Sequence, residues 1–291
     1  MIGWLTEPFT LVFMQKALVA SVIVGVVCAV LGCYIVLRSM AFLGDALAHA
    51  ILPGVAVAYL VGANLLAGAL VAGLIVAVGI SYVTRAGTIR EDTAIGIFFA
   101  GALALGVVLI STMRTYAVDL THVLFGNVLG VTAADLWISG GLAFLVLATI
   151  LLLYKRLLVV SFDPILGETL GLHTQALRTG LFLMLAATIV VALRTVGVAL
   201  VAAMLVTPPA AAYLLTRRLP VMMAVSALIG VVSAVGGLYA SYYLNVASGG
   251  AMVLVATAIF VLAFLFAPER GLIWQLTRRG SQKPAIPPRK S

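Results

Sequence analysis

Met40-Ala-Phe-Leu-Gly-Asp-Ala-Leu-Ala-His-Ala-Ile-Leu-Pro-Gly54 has the apolar character of a membrane span, yet it carries a carboxylate and an imidazole four residues apart. Helix positions i and i+4 lie one turn apart on a single face. Asp45 and His49 are therefore expected to present a carboxylate oxygen and a ring nitrogen side by side. Of the nine carboxylates in the chain, Asp45 alone interrupts a segment that otherwise reads as bilayer; the others fall in loops, at span ends or in polar stretches. A charge at that depth costs about 2.5–3.5 kcal/mol on insertion scales and marks a functional site by default.

Working outward, the 291-residue chain is 64% hydrophobic and only 9% charged, against about 25% charged in soluble proteins. Its mean hydropathy is +1.25. These values exclude a soluble domain and imply an all-α, polytopic membrane protein. The net charge of +8 is spread over loops and the tail, so it reads as a topology signal and not as a nucleic-acid surface. Cys28 and Cys33 lie five apart in one span, about 140° apart around a helix, and read as packing residues without a disulfide. No cleavable signal peptide is expected, because the first apolar run is too long and no cleavage motif follows it.

Charge-free runs divide the chain into spans at Ala17–Leu37, about 44–62, 64–84, Thr93–Met113, Leu136–Tyr154, Thr179–Leu193, Val198–Thr216, and two cut from Leu219–Pro268 at Asn245-Val-Ala-Ser-Gly-Gly250. Each except Thr179–Leu193 is long enough to cross about 30 Å of hydrocarbon. The total is nine, or eight if the segment from Met40 re-enters or one short segment fails to span. Loops at 85–92, 155–178 and 217–218, with the tail from 268, hold 13 of the 17 Lys and Arg; the alternate loops hold Arg114 and Arg194, and Lys16 and Arg38 remain. The positive-inside rule places the first set and the C-terminus in the cytoplasm. Residues 1–268 read as a single transmembrane domain, and 269–291, basic and Pro-containing, as a disordered cytoplasmic tail.

Asp45 and His49 suit a transient site for a divalent cation, since carboxylate plus imidazole fits Mn, Zn or Fe(II). The plainer reading is a hydrogen-bonded pair that fixes helix packing. Two ligands are too few for a metal, but a homodimer with this helix against its twofold axis would supply two of each. Gly44 and Pro53-Gly54 would weaken the helix at either end. In the loop Lys155–Arg178, Asp163 followed by Pro164 reads as a helix start and Gly171 as its C-cap, giving a short helix that lies on the lipid surface or docks a cytoplasmic subunit. Asp119 and His122 form a weaker candidate in an outer loop. Arg194 can snorkel to the headgroups, and Pro208-Pro209 is expected to kink and open the bundle. There is no Walker lysine motif, so energy must come from a gradient or from another polypeptide.

These residues together are familiar. Leu43-Gly-Asp-Ala-Leu-Ala-His-Ala-Ile-Leu-Pro-Gly54 resembles the signature of the membrane permeases of bacterial manganese/zinc/iron ABC importers. Asp119-Leu-Thr-His-Val-Leu-Phe-Gly-Asn-Val-Leu-Gly130, Phe162-Asp-Pro with Glu168 and Gly171, and Val206-Thr-Pro-Pro-Ala-Ala-Ala resemble later segments of that family in the same order, over residues 12–268. The resemblance implies a type II ABC importer-like permease of the inner membrane that homodimerises. It further implies two cytoplasmic ATP-binding subunits as partners, and an extracytoplasmic solute-binding protein that delivers the metal. Asp45 and His49 would be the ligands on the path, with no permanently bound cofactor. Asp163, Pro164, Glu168 and Gly171 would belong to the coupling helix, about 162–172, although the family's usual Ala pair is not reproduced after Glu168.

The expected function is alternating-access import of Mn2+, with Zn2+ next and Fe2+ third, by a chain that is not itself an enzyme. The rivals are a permease for a metal chelate such as a siderophore or cobalamin, and a gradient-driven secondary metal transporter. The second would require a chain of intramembrane acids, and Asp45 has no such companions. A membrane-embedded enzyme is disfavoured, since three His and one intramembrane carboxylate supply too few groups.

Overall fold

The structure is a computed structural model that describes residues 10–85, 87–112 and 128–268, with residues 271 and 274. The outer-loop pair Asp119 and His122 lies outside the described residues, as does most of the tail. Among the described residues there are eleven α-helices, one 3-10 turn and no strand. They are α1 (Val12–Leu37), α2 (Phe42–Ala50), α3 (Leu52–Leu60), α4 (Leu65–Val83), α5 (Glu91–Ser111), α6 (Ala133–Phe162), α7 (Pro164–Thr169), α8 (Thr174–Val196), α9 (Val198–Leu215), α10 (Leu219–Leu244) and α11 (Ser248–Phe266).

Among the described residues, eight apolar helices, counting α2 and α3 as one, are long enough to cross a membrane, and α9 is a shorter ninth. The expected cuts hold. Asn64 caps α4 by accepting from the backbone N–H of Leu66 at 2.9 Å, and Asn245 ends α10 in the left-handed conformation. The expected boundaries err where a charge sits inside a helix. Arg178 was expected to end a polar loop, but α8 begins at Thr174 because that guanidinium is neutralised by Glu91. α6 runs 30 residues, about 45 Å at 1.5 Å per residue, and carries Lys155 and Arg156 past the apolar slab.

Ion pairs orient the bundle. Arg38 at the end of α1 and Arg178 in α8 both reach Glu91 at the start of α5, so these helix ends share one face. Asp135 at the start of α6 meets Arg194 in the last turn of α8, which marks the opposite face. α1 and the α2–α3 segment are the most deeply enclosed, whereas α5, α6 and α11 show most of their surface.

Apolar helices gain little hydrophobic energy from leaving lipid, so they associate through close packing of small residues. A Cβ on Gly32 would strike the Leu205 carbonyl oxygen of α9 and lie 2.6 Å from the Pro209 ring. Both Pro208 and Pro209 are buried inside α9, so instead of opening the bundle the ring of Pro209 fills the space that Gly32 leaves. Gly54 and Gly68 seat α3 on α4 backbone to backbone, and Gly25 and Gly230 bring α1 to α10. Gly44 faces Leu205, whose Cδ1 would lie 3.0 Å from an added Cβ. Gly44 and Gly54 therefore serve contact more than pliancy. Gly197 alone joins α8 to α9, at φ +83° and ψ 164°, a region open essentially only to glycine.

Gly32→Ala should prevent recovery of monodisperse protein in detergent, since backbone atoms would have to move. Gly140→Ala, where an added Cβ meets nothing within 4 Å, should leave size-exclusion behaviour and thermal midpoint unchanged.

Candidate functional site

α2 is short because Pro53 has no N–H to give to the carbonyl of His49. The chain steps at Ile51, whose own N–H turns back to His49 O, and resumes as α3. Six of the nine residues of α2 are buried; the three that are not, Phe42, Asp45 and His49, sit at i, i+3 and i+7 and form one stripe. The Asp45 side chain is 42% exposed and that of His49 28%. The two polar side chains therefore emerge together from a helix otherwise packed into the bundle.

His49 Nδ1 lies 3.5 Å from Asp45 Oδ1 and 3.0 Å from the Asp45 backbone oxygen. A carbonyl only accepts, so a neutral His49 carries its proton on Nδ1 and leaves the Nε2 lone pair free. That tautomer suits a metal ligand whose other nitrogen is held by the backbone. Phe99 of α5 meets the His49 ring edge to face at 5.8 Å and the Phe42 ring at 5.3 Å, which fixes the orientation of the imidazole. Among the described residues no group of three or more His, Cys, Asp or Glu could hold a metal.

Of the four residues expected to couple, Pro164 and Glu168 lie in the small helix α7, Asp163 is its N-cap and Gly171 follows its C-terminal end. Asp163 Oδ1 accepts from Leu166 N at 3.0 Å, and Pro164 occupies the first turn, where its missing N–H costs nothing. Glu168 Oε1 accepts from Thr174 Oγ1 at 3.1 Å. Gly171, at φ +72°, closes the helix while Leu172 N returns to Gly167 O at 3.0 Å. All four shape the loop. The groups it offers outward are Phe162, Ile165, Leu166 and Leu170, all exposed. The sequence reading of a short helix that packs on lipid or a partner covers this stretch without singling out these four side chains.

Two ion-pair clusters were also missed, because their members lie far apart in sequence. Arg38 and Arg178 share Glu91. Arg194, expected to snorkel freely, instead sets its Nε 3.0 Å from Asp135 Oδ1. The other oxygen of Asp135 accepts from Thr132 Oγ1 at 2.6 Å and Thr132 N at 3.1 Å, closing a capping box on α6. Cys28 and Cys33 are buried and free, as expected of packing residues.

Residues 10–267 carry the sequence pattern of the ABC 3 transport family. The chain belongs to that family. It is 49% identical over 266 residues to the manganese transport system membrane protein MntC of Halalkalibacterium halodurans, covering 91% of each chain. It is 42% identical over 258 residues to the manganese import system permease protein ScaB of Streptococcus gordonii, covering 89% of this chain and 92% of the other. A chelated iron transport system membrane protein, YfeD of Yersinia pestis, is 40% identical over 266 residues, 90% of this chain and 88% of its own. The solved structure of PsaBC from Streptococcus pneumoniae in complex with Fab superposes with a TM-score of 0.82 at 38% identity, covering 95% of this chain and 100% of that one. Like its relatives, this member of the ABC 3 transport family is a membrane-spanning permease.

Asp135→Ala should lower stability by more than Arg194→Ala, as read from thermal midpoints in detergent. The first removes the return half of the α6 capping box, the Asp135 carboxylate on Thr132 N, as well as the ion pair. The second removes only a half-exposed pair worth about 0–1 kcal/mol. Equal losses would show that the Asp135 half of the capping box contributes nothing.

Proposed function

We propose that two copies of this permease import Mn2+ as a substrate, through a path on which Asp45 and His49 of each copy meet to form one O2N2 site. The observation that carries the reading is the half-site itself, a carboxylate and a free imidazole nitrogen on the only exposed stripe of a buried helix. Across a twofold axis the stripe would bring two carboxylates and two imidazoles together, enough to offset dehydration of a dication. Donors without thiolate suit Mn2+, and the MntC and ScaB relatives are named for manganese. Iron(II) is the second reading, favoured by the relative named for chelated iron. Zinc, next after manganese on donor chemistry alone, falls behind because no relative named above points to it.

ABC transporters draw on ATP, and this chain has no nucleotide motif, so a separate ATP-binding subunit hydrolyses it. The exposed apolar residues of α7 are the surface on which that subunit sits. The face bearing Arg38, Glu91, Arg178 and α7 is cytoplasmic on the positive-inside rule, in a bacterial inner membrane, with the C-terminus on the same side. A solute-binding protein delivers the ion to the opposite face. Nucleotide-driven movement of α7 exposes the paired site first to one side and then to the other.

Metal content of the purified dimer tests the site. One Mn2+ per two chains is expected in the wild type and none in Asp45→Asn/His49→Gln; equal metal in both would reduce the pair to a structural contact. Competition with Fe2+ at equal concentration separates the two readings.

Ile165→Asp/Leu170→Asp should abolish co-purification of the ATP-binding subunit while leaving Mn2+ binding intact. Retained co-purification would move the docking surface elsewhere.

A further inference from the structure

We infer that Glu91 is the joint through which movement of α7 reaches the metal pair, and that Glu91, Arg178 and Phe99 are positioning residues for transport; the inference rests on the transport reading above. Glu91 opens α5, and both arginines reach the same oxygen. Arg38 Nη2 donates to Glu91 Oε1 at 2.9 Å, and Arg178 Nη2 lies 2.6 Å from it. The side chains of Arg38, Arg178 and Glu91 are 8%, 16% and 25% exposed. Two guanidiniums on one carboxylate leave a surplus positive charge in a largely dehydrated place. Among the described residues, Arg178 Nε is buried with no hydrogen-bond partner. Here two pairings compete for one oxygen, so Glu91 can follow α8 or stay with the end of α1.

Each side of this joint leads to a working part. Arg178 lies in the second turn of α8, and the start of α8 is held by α7. Thr174 Oγ1 donates to Glu168 Oε1 at 3.1 Å, and Gly167 sits so close that an added Cβ would lie 2.9 Å from Thr174 Cγ2. Gln175 Nε2 also donates to Ser81 O at 2.7 Å, so displacement of α8 is referred to α4 as well. On the other side, α5 carries Phe99 eight residues beyond Glu91, about 12 Å along the helix, with its ring against His49. Arg38, for its part, ends α1 at the tight turn through Ser39, at φ 58°, that leads into α2. Movement of α7 thus has a continuous route through Thr174, Arg178, Glu91 and Phe99 to the imidazole. A rotation of α5 that frees either arginine also shifts the ring that orients the metal ligand.

The test uses the whole importer, with permease, ATP-binding subunit and binding protein, reconstituted in liposomes with radiolabelled Mn2+. Three quantities are read: Mn2+ bound at equilibrium, ATP hydrolysed, and Mn2+ imported per ATP. Glu91→Gln should bind Mn2+ within twofold of wild type and still hydrolyse ATP, but import at least tenfold less Mn2+ per ATP. Arg178→Gln should behave likewise, whereas Arg178→Lys, which keeps the charge, should recover most of the stoichiometry. This second comparison decides the matter if Glu91→Gln does not fold. Wild-type import per ATP in both Gln variants would overturn the joint, as would parallel loss of binding and hydrolysis in Arg178→Gln but not in Arg178→Lys, which is the mark of a structural pair. A wild-type importer that binds no Mn2+ would overturn the transport reading, and this inference with it.

Discussion

An ionisable side chain within or beside a bilayer must find an opposite charge, a polar edge or another molecule, because the hydrocarbon offers it none. The molecule meets this constraint in three ways. Asp135 and Arg194 satisfy one another at one face, where water also reaches the arginine. Glu91 is shared by two arginines at the opposite face, which leaves a surplus of one positive charge. Asp45 and His49 touch each other but remain partly uncovered on a single stripe of α2. The first arrangement is at rest. The other two sit on neighbouring helices, Asp45 and His49 on α2 and Glu91 at the start of α5.

The packing around these charges follows from the same solvent. Without a hydrophobic gradient between helices, contact has to come from short backbone distances. α1 is accordingly enclosed by helices that meet it at Gly25 and Gly32, and α3 meets α4 at Gly54 and Gly68. These contacts leave little freedom for the helices to slide. The step at Ile51, which arises because Pro53 cannot bond His49, and the single-residue joint at Gly197 are places where the bundle is not a stack of uninterrupted rods.

Several features were readable from the sequence because they depend on local chemistry. The apolar runs, the polar turns at Gly62–Asn64 and Asn245–Gly250, and the i, i+4 spacing of Asp45 and His49 needed no tertiary information. The short helix after Asp163 was equally legible, since a cap, a first-turn proline and a closing glycine are all local signals. Reading charge as a boundary failed at Arg178, where an acidic partner 87 positions away makes a charged residue welcome inside a helix. It failed at Arg194 for the same reason, with Asp135 as the unseen partner. The prolines of α9 misled because their effect depends on what lies opposite, and Gly32 lies opposite.

Sequence alone determined that this chain is a many-spanning α-helical membrane protein, which residues carry its one intramembrane acid–imidazole pair, and which loops carry the positive charge. Those properties follow from composition, helical period and charge counting, none of which requires knowing what touches what. Only the tertiary structure decided that the pair emerges on an exposed stripe with Nε2 free, that α7 turns an apolar face outward, and that Glu91 stands between two arginines. These depend on the angle at which each helix faces its neighbours. In a uniformly apolar sequence that angle is set by where small residues let backbones meet, and the pattern of hydrophobicity along the chain carries almost no trace of it.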